Sequence, residues 1–177
     1  MTPPRKLAQL GEIMQLAFVP RDYDAALAFW TGTMGAGPFF LIDHVTLEDV
    51  RYRGATAQID FSMALGYWGD LQIELIHQHN DAPSIYKAWL DEGREGLHHV
   101  CILVDDMAAA RAAAEGMVIT QEARVPGGGE VIYIDTCGSP GTMVEILMPG
   151  AGTHDLFAMM LAASRGWDGS EPLRRLG

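Results

Sequence analysis

Four polar residues, spread over most of the chain, have the types and spacing of ligands for a single metal ion. They are Gln15, Glu74, His99 and Glu145, and they fall into two matching pairs. At a constant offset of 84 residues Gln15 aligns with His99, and at an offset of 71 residues Glu74 aligns with Glu145. An internal repeat of this kind determines how the rest of a sequence is interpreted. It predicts two copies of one structural unit, each supplying two ligands.

One imidazole, one amide oxygen and two carboxylates form a mixed set of borderline and hard ligands. The set suits one divalent ion, with zinc, nickel or cobalt expected first and manganese or iron next, and it is too rich in oxygen for a closed structural zinc site. Two buried carboxylates on one surface would repel each other without a cation. The alternative is that Gln15 and His99 are ordinary buried polar residues and that both glutamates lie on exposed strands.

The elements that must position these residues follow the order strand, helix, strand, strand, strand in each half. Apolar patterning and turn residues predict strands at 12–19, 39–44, 57–65 and 71–77, then at 97–104, 117–122, 131–135 and 143–148. Asp22 should cap the first helix, and Asp105 or Asp106 should cap an alanine-rich helix ending near Gly116. A helix at 83–92 joins the halves, with Pro83 in its first turn. A last helix at 154–164, capped by Thr153, precedes a polar tail, and a hairpin turn is expected from Gly66 to Gly69.

Alternation along the four ligand-bearing strands places every ligand opposite an apolar row. For example, Val144, Ile146 and Met148 point away from Glu145. These apolar rows can pack under helices, so the ligands should share the opposite surface. The predicted fold is α+β: two tandem βαβββ modules forming a cupped mixed sheet, with helices on the convex side and the ligands on the concave side.

Bulk properties exclude several classes of protein. The 177 residues are 49% hydrophobic and 20% charged, as in an ordinary globular protein, and no apolar run approaches the roughly 20 residues of a membrane span. Residues 1–6 lack the apolar core of a secretory signal, so we expect a cytoplasmic protein, with Cys101 and Cys137 as reduced thiols. The net charge of −11 argues against a nucleic-acid or membrane partner and gives no general attraction for phosphate-rich substrates.

The two modules, the segment Gly96-Leu-His-His-Val and the ending Val144-Glu-Ile-Leu resemble the vicinal oxygen chelate superfamily. That superfamily includes glyoxalase I, methylmalonyl-CoA epimerase, extradiol dioxygenases and bleomycin-resistance proteins. The resemblance implies one domain over 1–150, with modules at about 12–80 and 96–149, followed by a C-terminal helix and tail at 151–177. Residues 96–106 and 126–135 are similar to the epimerase branch, and by that similarity His99, rather than His98, is the ligand. The order Gln, Glu, His, Glu instead resembles glyoxalase I.

Glyoxalases and epimerases both remove a proton beside a carbonyl whose oxygen is held by the metal, forming an enediolate or enolate. The resemblance therefore implies a metal-dependent lyase, isomerase or epimerase for a small carbonyl substrate, with Glu145 as the first candidate base and Glu74 as its partner. An extradiol-type ring-cleaving dioxygenase, or a non-catalytic binding or resistance protein, is the alternative. We also expect a homodimer.

Three further residues are candidates for contact with the substrate. Residues 59, 61, 63 and 65 form an apolar row, which predicts that Asp60 faces the cavity. There it is a candidate extra acid or base, and the alternative is a solvated residue on an edge strand. Tyr133 is a candidate to bind a substrate oxygen, and otherwise a half-buried aromatic residue. Cys101, two residues after His99, should line the cavity. Residues 127–129, three glycines, are expected to form a hairpin or a lid.

Overall fold

The computed structural model describes residues 7–136 and 142–176, so the expectations for residues 1–6 and for Cys137 lie outside the described residues. Within this part of the chain, eleven strands form one mixed sheet. They are β1 (Ile13–Phe18), β2 (Phe39–Ile42), β3 (Glu48–Tyr52), β4 (Ala55–Thr56), β5 (Phe61–Trp68), β6 (Leu71–Gln78), β7 (Leu97–Leu103), β8 (Val118–Val125), β9 (Gly129–Asp135), β10 (Met143–Met148) and β11 (Leu173–Arg175). The helices are α1 (Tyr23–Ala28), which continues as a π-helical turn over Phe29–Thr33, α2 (Ile85–Asp91), α3 (Met107–Ala113) and α4 (Thr153–Ser164).

The order of the strands reproduces the sequence repeat. The sheet runs β11-β2-β5-β6-β1-β7-β10-β9-β8-β3-β4, and the two modules meet where β1 and β7 pair in antiparallel fashion. On either side of this seam the first strand of each module pairs in parallel with its last strand, β1 with β6 and β7 with β10. The predicted α+β fold with two βαβββ modules is confirmed.

A short connection requires the sheet to curve strongly. Strands β3 and β4, which the sequence did not predict, belong to the first half of the chain, but β3 pairs with β8 at the far edge of the second module. In a flat sheet the eight strand-to-strand steps from β2 to β3 would cover about 38 Å. The connection from Ile42 to Glu48 spans at most about 21 Å. The two edges are therefore drawn together, which makes the sheet a cup.

Helices α1 and α3 cover the convex face at equivalent positions of the two modules. Each begins after an aspartate whose carboxylate accepts a backbone N–H three residues later, at 2.9 Å for Asp22 and 3.0 Å for Asp106. Buried residues that include Ile73 and Leu75 lie under α1, and a second cluster that includes Ile146 lies under α3. Helices α2 and α4, which are outside the modules, instead pack on the concave side.

Several predicted boundaries were wrong in detail. Helix α2 is capped by Ser84, whose hydroxyl accepts the backbone N–H of Lys87 at 2.9 Å, and α4 has Gly152 in the cap position instead of Thr153. The tight turn between β5 and β6 follows Trp68, so Gly66 lies inside β5. The polar tail contains β11, which pairs with β2. Among the described residues, no helix is long and apolar enough to cross a bilayer.

Candidate metal centre

Strand register brings the predicted ligands together at the seam between the modules. Residues that are paired across neighbouring strands share a face of the sheet. Ala17 of β1 pairs with Glu74 on one side and with His99 on the other, and Glu145 pairs with Cys101 in the adjacent row. The methyl group of Ala17 leaves the space between Glu74 and His99 open.

Glu74, His99 and Glu145 converge on one small volume of the interior. Their ligating atoms all lie within 4.8 Å of one another, with His99 Nε2 at 2.7 Å from Glu145 Oε2 and 3.3 Å from Glu74 Oε2. All three side chains are buried. His99 Nε2 and Glu145 Oε2 nevertheless lack a partner with hydrogen-bond geometry among the described residues. A buried nitrogen and a buried carboxylate oxygen left in this state are costly, and a divalent cation beside them would satisfy both.

A hydrogen-bonded pair of glutamines orients the fourth predicted ligand, Gln15. Its Nε2 donates to Oε1 of Gln72 at 2.6 Å, and Gln72 Nε2 in turn donates to the hydroxyl of Tyr67 at 3.0 Å. This arrangement uses the amide nitrogen of Gln15 and leaves its Oε1, the better metal ligand, for the site. Gln15 lines the same cavity as Glu74 and Glu145. Glu74, His99 and Glu145 therefore fit a divalent ion, and Gln15 lines the same cavity as the predicted fourth ligand.

His98, the neighbour of His99, fixes which ring nitrogen of His99 faces the carboxylates. The Nε2 atom of His98 lies 3.3 Å from the carbonyl oxygen of Ile85 and can only donate to it, and His98 Nδ1 lies 2.9 Å from His99 Nδ1. Burial and the nearby His99 lower the pKa of His98 well below its usual value, so His98 is neutral and its Nδ1 is an acceptor. His99 must then donate from Nδ1, which points its Nε2 toward Glu145 and Glu74.

Burial and the paired carboxylates also set the protonation of the centre. Burial raises the pKa of Glu74. Burial alone would lower the pKa of His99, but the contacts with Glu145 and Glu74 outweigh it and raise that pKa to about 9. Without an ion, a proton on His99 therefore supplies the positive charge between the two carboxylates. An ion bound here would take over that charge.

Tyr133, a sequence candidate for contact with the substrate, lies beside the predicted metal ligands. Its ring centroid is 5.3 Å from that of His99, and its hydroxyl lies 3.1 Å from the hydroxyl of Tyr86, a residue of α2 that was not a candidate from the sequence. Burial raises the pKa of both phenols well above its usual value, so both are neutral hydrogen-bond donors. Cys101 is on the same face of the sheet but is fully buried and is not part of the cavity wall.

The predicted orientation of Asp60 is wrong. Leu65 pairs with Glu74, so the large apolar side chains of β5 face the cavity and its small residues face the convex side. Asp60 is 43% exposed, and its carboxylate accepts the Nδ1 hydrogen of His44 at 2.6 Å, away from the centre. An apolar row on a strand indicates a buried face, but it does not tell a helix-covered face from an apolar cavity.

The cavity above the centre has a volume of about 150 Å³. Its floor contains Gln15, Glu74 and Glu145, and most of its wall is apolar. Leu156 and Phe157 of α4 close one side. The three glycines at 127–129 form the turn of the β8–β9 hairpin and the start of β9, and this turn packs against Ala151 just before α4.

A family model described as "Glyoxalase/Bleomycin resistance protein/Dioxygenase superfamily" matches residues 14–133. The chain belongs to this superfamily. No curated protein matches it in sequence. Its fold is similar to methylmalonyl-CoA epimerase from Mycobacterium tuberculosis (16% identity, TM-score 0.55, covering 81% of this chain and 91% of the epimerase). It is also similar to a hypothetical protein from Bacillus halodurans C-125 (18% identity, TM-score 0.54, covering 78% of this chain and 94% of that protein). A third similar structure is methylmalonyl-CoA epimerase from Streptomyces coelicolor in complex with 2-nitronate-propionyl-CoA (18% identity, TM-score 0.51, covering 80% of this chain and 96% of the epimerase). The family match ends at Tyr133, so Glu145 and α4 lie beyond it.

Proposed function

We propose that the protein is a metal-dependent lyase, isomerase or epimerase that moves a proton at a carbon next to a carbonyl group. The observation that carries this proposal is the convergence of two buried carboxylates on the unpartnered Nε2 of His99, at the floor of an apolar cavity. A divalent ion held there would polarise a carbonyl oxygen and make the neighbouring C–H more acidic. Membership of a superfamily that includes such enzymes supports the same chemistry.

The two glutamates are the groups able to move the proton. Glu74 is on β6 and Glu145 is on β10, so they approach His99 from opposite sides of the seam. Glu145 is the first candidate base, and Glu74 can deliver a proton from the other side. Use of both glutamates would invert a stereocentre, whereas transfer by one glutamate would shift the proton between neighbouring carbons.

The residues around the glutamates suit this role. Tyr133 can donate a hydrogen bond from its neutral phenol to a substrate oxygen, since its hydroxyl lies in the cavity beside Tyr86. The apolar wall excludes water, which strengthens the electrostatic interactions at the floor and protects a carbanionic intermediate from solvent.

Exchange of deuterium from D₂O into the carbon beside the carbonyl of a 1-hydroxy-2-ketone tests the proposal. Wild-type protein, which elemental analysis should show to contain a divalent metal, is expected to catalyse this exchange. Glu145→Gln should slow the exchange by about 100-fold or more, because it removes the base. Asp60→Asn is the matched control, since Asp60 is outside the cavity, and it should exchange as the wild type does.

Two results would count against proton transfer. Equal exchange rates for Glu145→Gln and Asp60→Asn would show that Glu145 is not the base. Consumption of O₂ with a catechol by iron-loaded protein, without any exchange, would favour the ring-cleaving dioxygenase instead.

A further inference from the structure

We propose that the site takes an uncharged carbonyl compound with an apolar tail and rejects anionic thioesters such as those of coenzyme A. This proposal rests on the proposed function and adds the class of substrate. It starts from the cavity wall, which is built largely from aliphatic and aromatic side chains. Six of them surround the space above the ligands: Met63, Leu65, Val131, Leu147, Leu156 and Phe157.

No lysine or arginine of the described chain is part of this wall. Most of the basic residues in the described chain instead lie at the surface in pairs with acidic residues. Examples are Arg111, which binds Glu122 and Glu130, and Arg124, which lies 3.5 Å from Asp49. A ligand rich in phosphate would therefore find no cationic partner at the cavity and would approach a protein with a net charge of −11.

The floor of the cavity adds no surplus positive charge. Two carboxylates, a neutral imidazole and a neutral amide balance the charge of a divalent ion, so the loaded centre is neutral overall. A neutral centre does not select an anionic group electrostatically, but it still offers a Lewis acid to a carbonyl oxygen. The floor therefore favours a ligand whose polar end is uncharged.

Helix α4 contributes to the apolar wall. It follows the part of the chain that the family model matches, and its Leu156 and Phe157 close one side of the cavity. The helix is held in place by Met160, which is fully buried against Leu65 and Tyr67. A substrate with its carbonyl at the floor would project its tail onto this wall, where each added methylene group buries more apolar surface.

The test measures binding of 1-hydroxy-2-ketones of increasing chain length to zinc-loaded protein by calorimetry. Affinity should rise about fourfold per methylene group until the cavity is full. Methylmalonyl-CoA should bind more weakly than the longer ketones. Phe157→Ala should flatten the dependence on chain length. Met159→Ala is the matched control, because Met159 is 41% exposed on the same helix, and it should leave the dependence unchanged.

Leu156→Arg provides a second measurement, because a cation added to the wall should improve binding of methylmalonyl-CoA relative to the ketones. Wild-type protein that binds methylmalonyl-CoA more tightly than any ketone, or ketone affinities that do not change with chain length, would overturn the assignment. These measurements need no turnover. If the ketones bind as expected but no deuterium exchange occurs, the proton-transfer function fails while the substrate class stands.

Discussion

Replacing His98 by phenylalanine should weaken metal binding although His98 is not a ligand. In the wild type, His99 donates from Nδ1 to His98 Nδ1, and this leaves His99 Nε2 for the ion. Above pH 9, where His99 is neutral without an ion, its proton in His98→Phe can move to Nε2, where Glu145 lies 2.7 Å away. An ion at Nε2 forces the proton back to Nδ1, where no acceptor remains. The penalty therefore falls on the loaded protein alone.

The size of the effect follows from the burial of this pair. Both histidines are fully buried, so a stranded N–H cannot turn to water. Such a donor costs about 1–3 kcal/mol, and loss of a partner behind a metal ligand reduces metal affinity by about 10- to 100-fold. Competition with a chromophoric zinc chelator above pH 9, where His99 is neutral without an ion, would measure this change. The thermal midpoint of each variant would show that it is folded.

His98→Gln is the matched variant, because an amide oxygen at this position can accept the Nδ1 hydrogen of His99. It should recover most of the affinity that His98→Phe loses. The reasoning is refuted if folded His98→Phe binds zinc within about twofold of the wild type. It is also refuted if His98→Gln and His98→Phe are equally weak, since packing alone would then explain the loss.

Two further predictions concern protons and packing. Because the pKa of His99 without an ion is about 9, zinc binding at pH 7 should release about one proton, and the release should disappear as the pH rises above 9. Calorimetry in buffers of different ionisation enthalpy measures the number of protons released. A binding heat that does not depend on the buffer at pH 7 would contradict the prediction. Gly129→Ala should lower the free energy of unfolding by about 1–3 kcal/mol, because its Cβ would lie 2.5 Å from the backbone nitrogen of Gly150. Gly32→Ala, whose Cβ meets nothing within 4 Å, is the control in chemical denaturation, and equal losses in the two variants would contradict this explanation.

The part of the site that the sequence predicted best is the part that lies on regular strands. Alternation correctly predicted which side chains of β1, β6, β7 and β10 point to each side of the sheet. It succeeded because the large apolar residues of these strands pack under α1 or α3. The same rule failed on β5, where Ala64 and Gly66 occupy the convex side and the ring of Phe39 lies where a side chain on Gly66 would be. Both faces of β5 are buried, so the size of its residues, and not their polarity, distinguishes one face from the other.

The elements that the sequence missed depend on contacts with distant parts of the chain. Strand β3 contains one buried residue, Val50, which is too little for a pattern of alternation, and it forms because β8 pairs with it. Strand β11 lies in a polar tail and forms because β2 has a free edge. Tyr86 reaches the site because α2 packs inside the cup, a position that no local signal encodes.

The path of β3 also means that the repeat does not divide the protein into two folding units. The first half of the chain contains β3, but β8, which pairs with it about 70 residues later, belongs to the second half. A break between the modules would separate this pair and also the pairing of β1 with β7 at the seam. With such non-local pairings the chain should fold slowly and in one cooperative step. The ligand set divides into two pairs in the sequence, whereas the structure that brings the pairs together is indivisible.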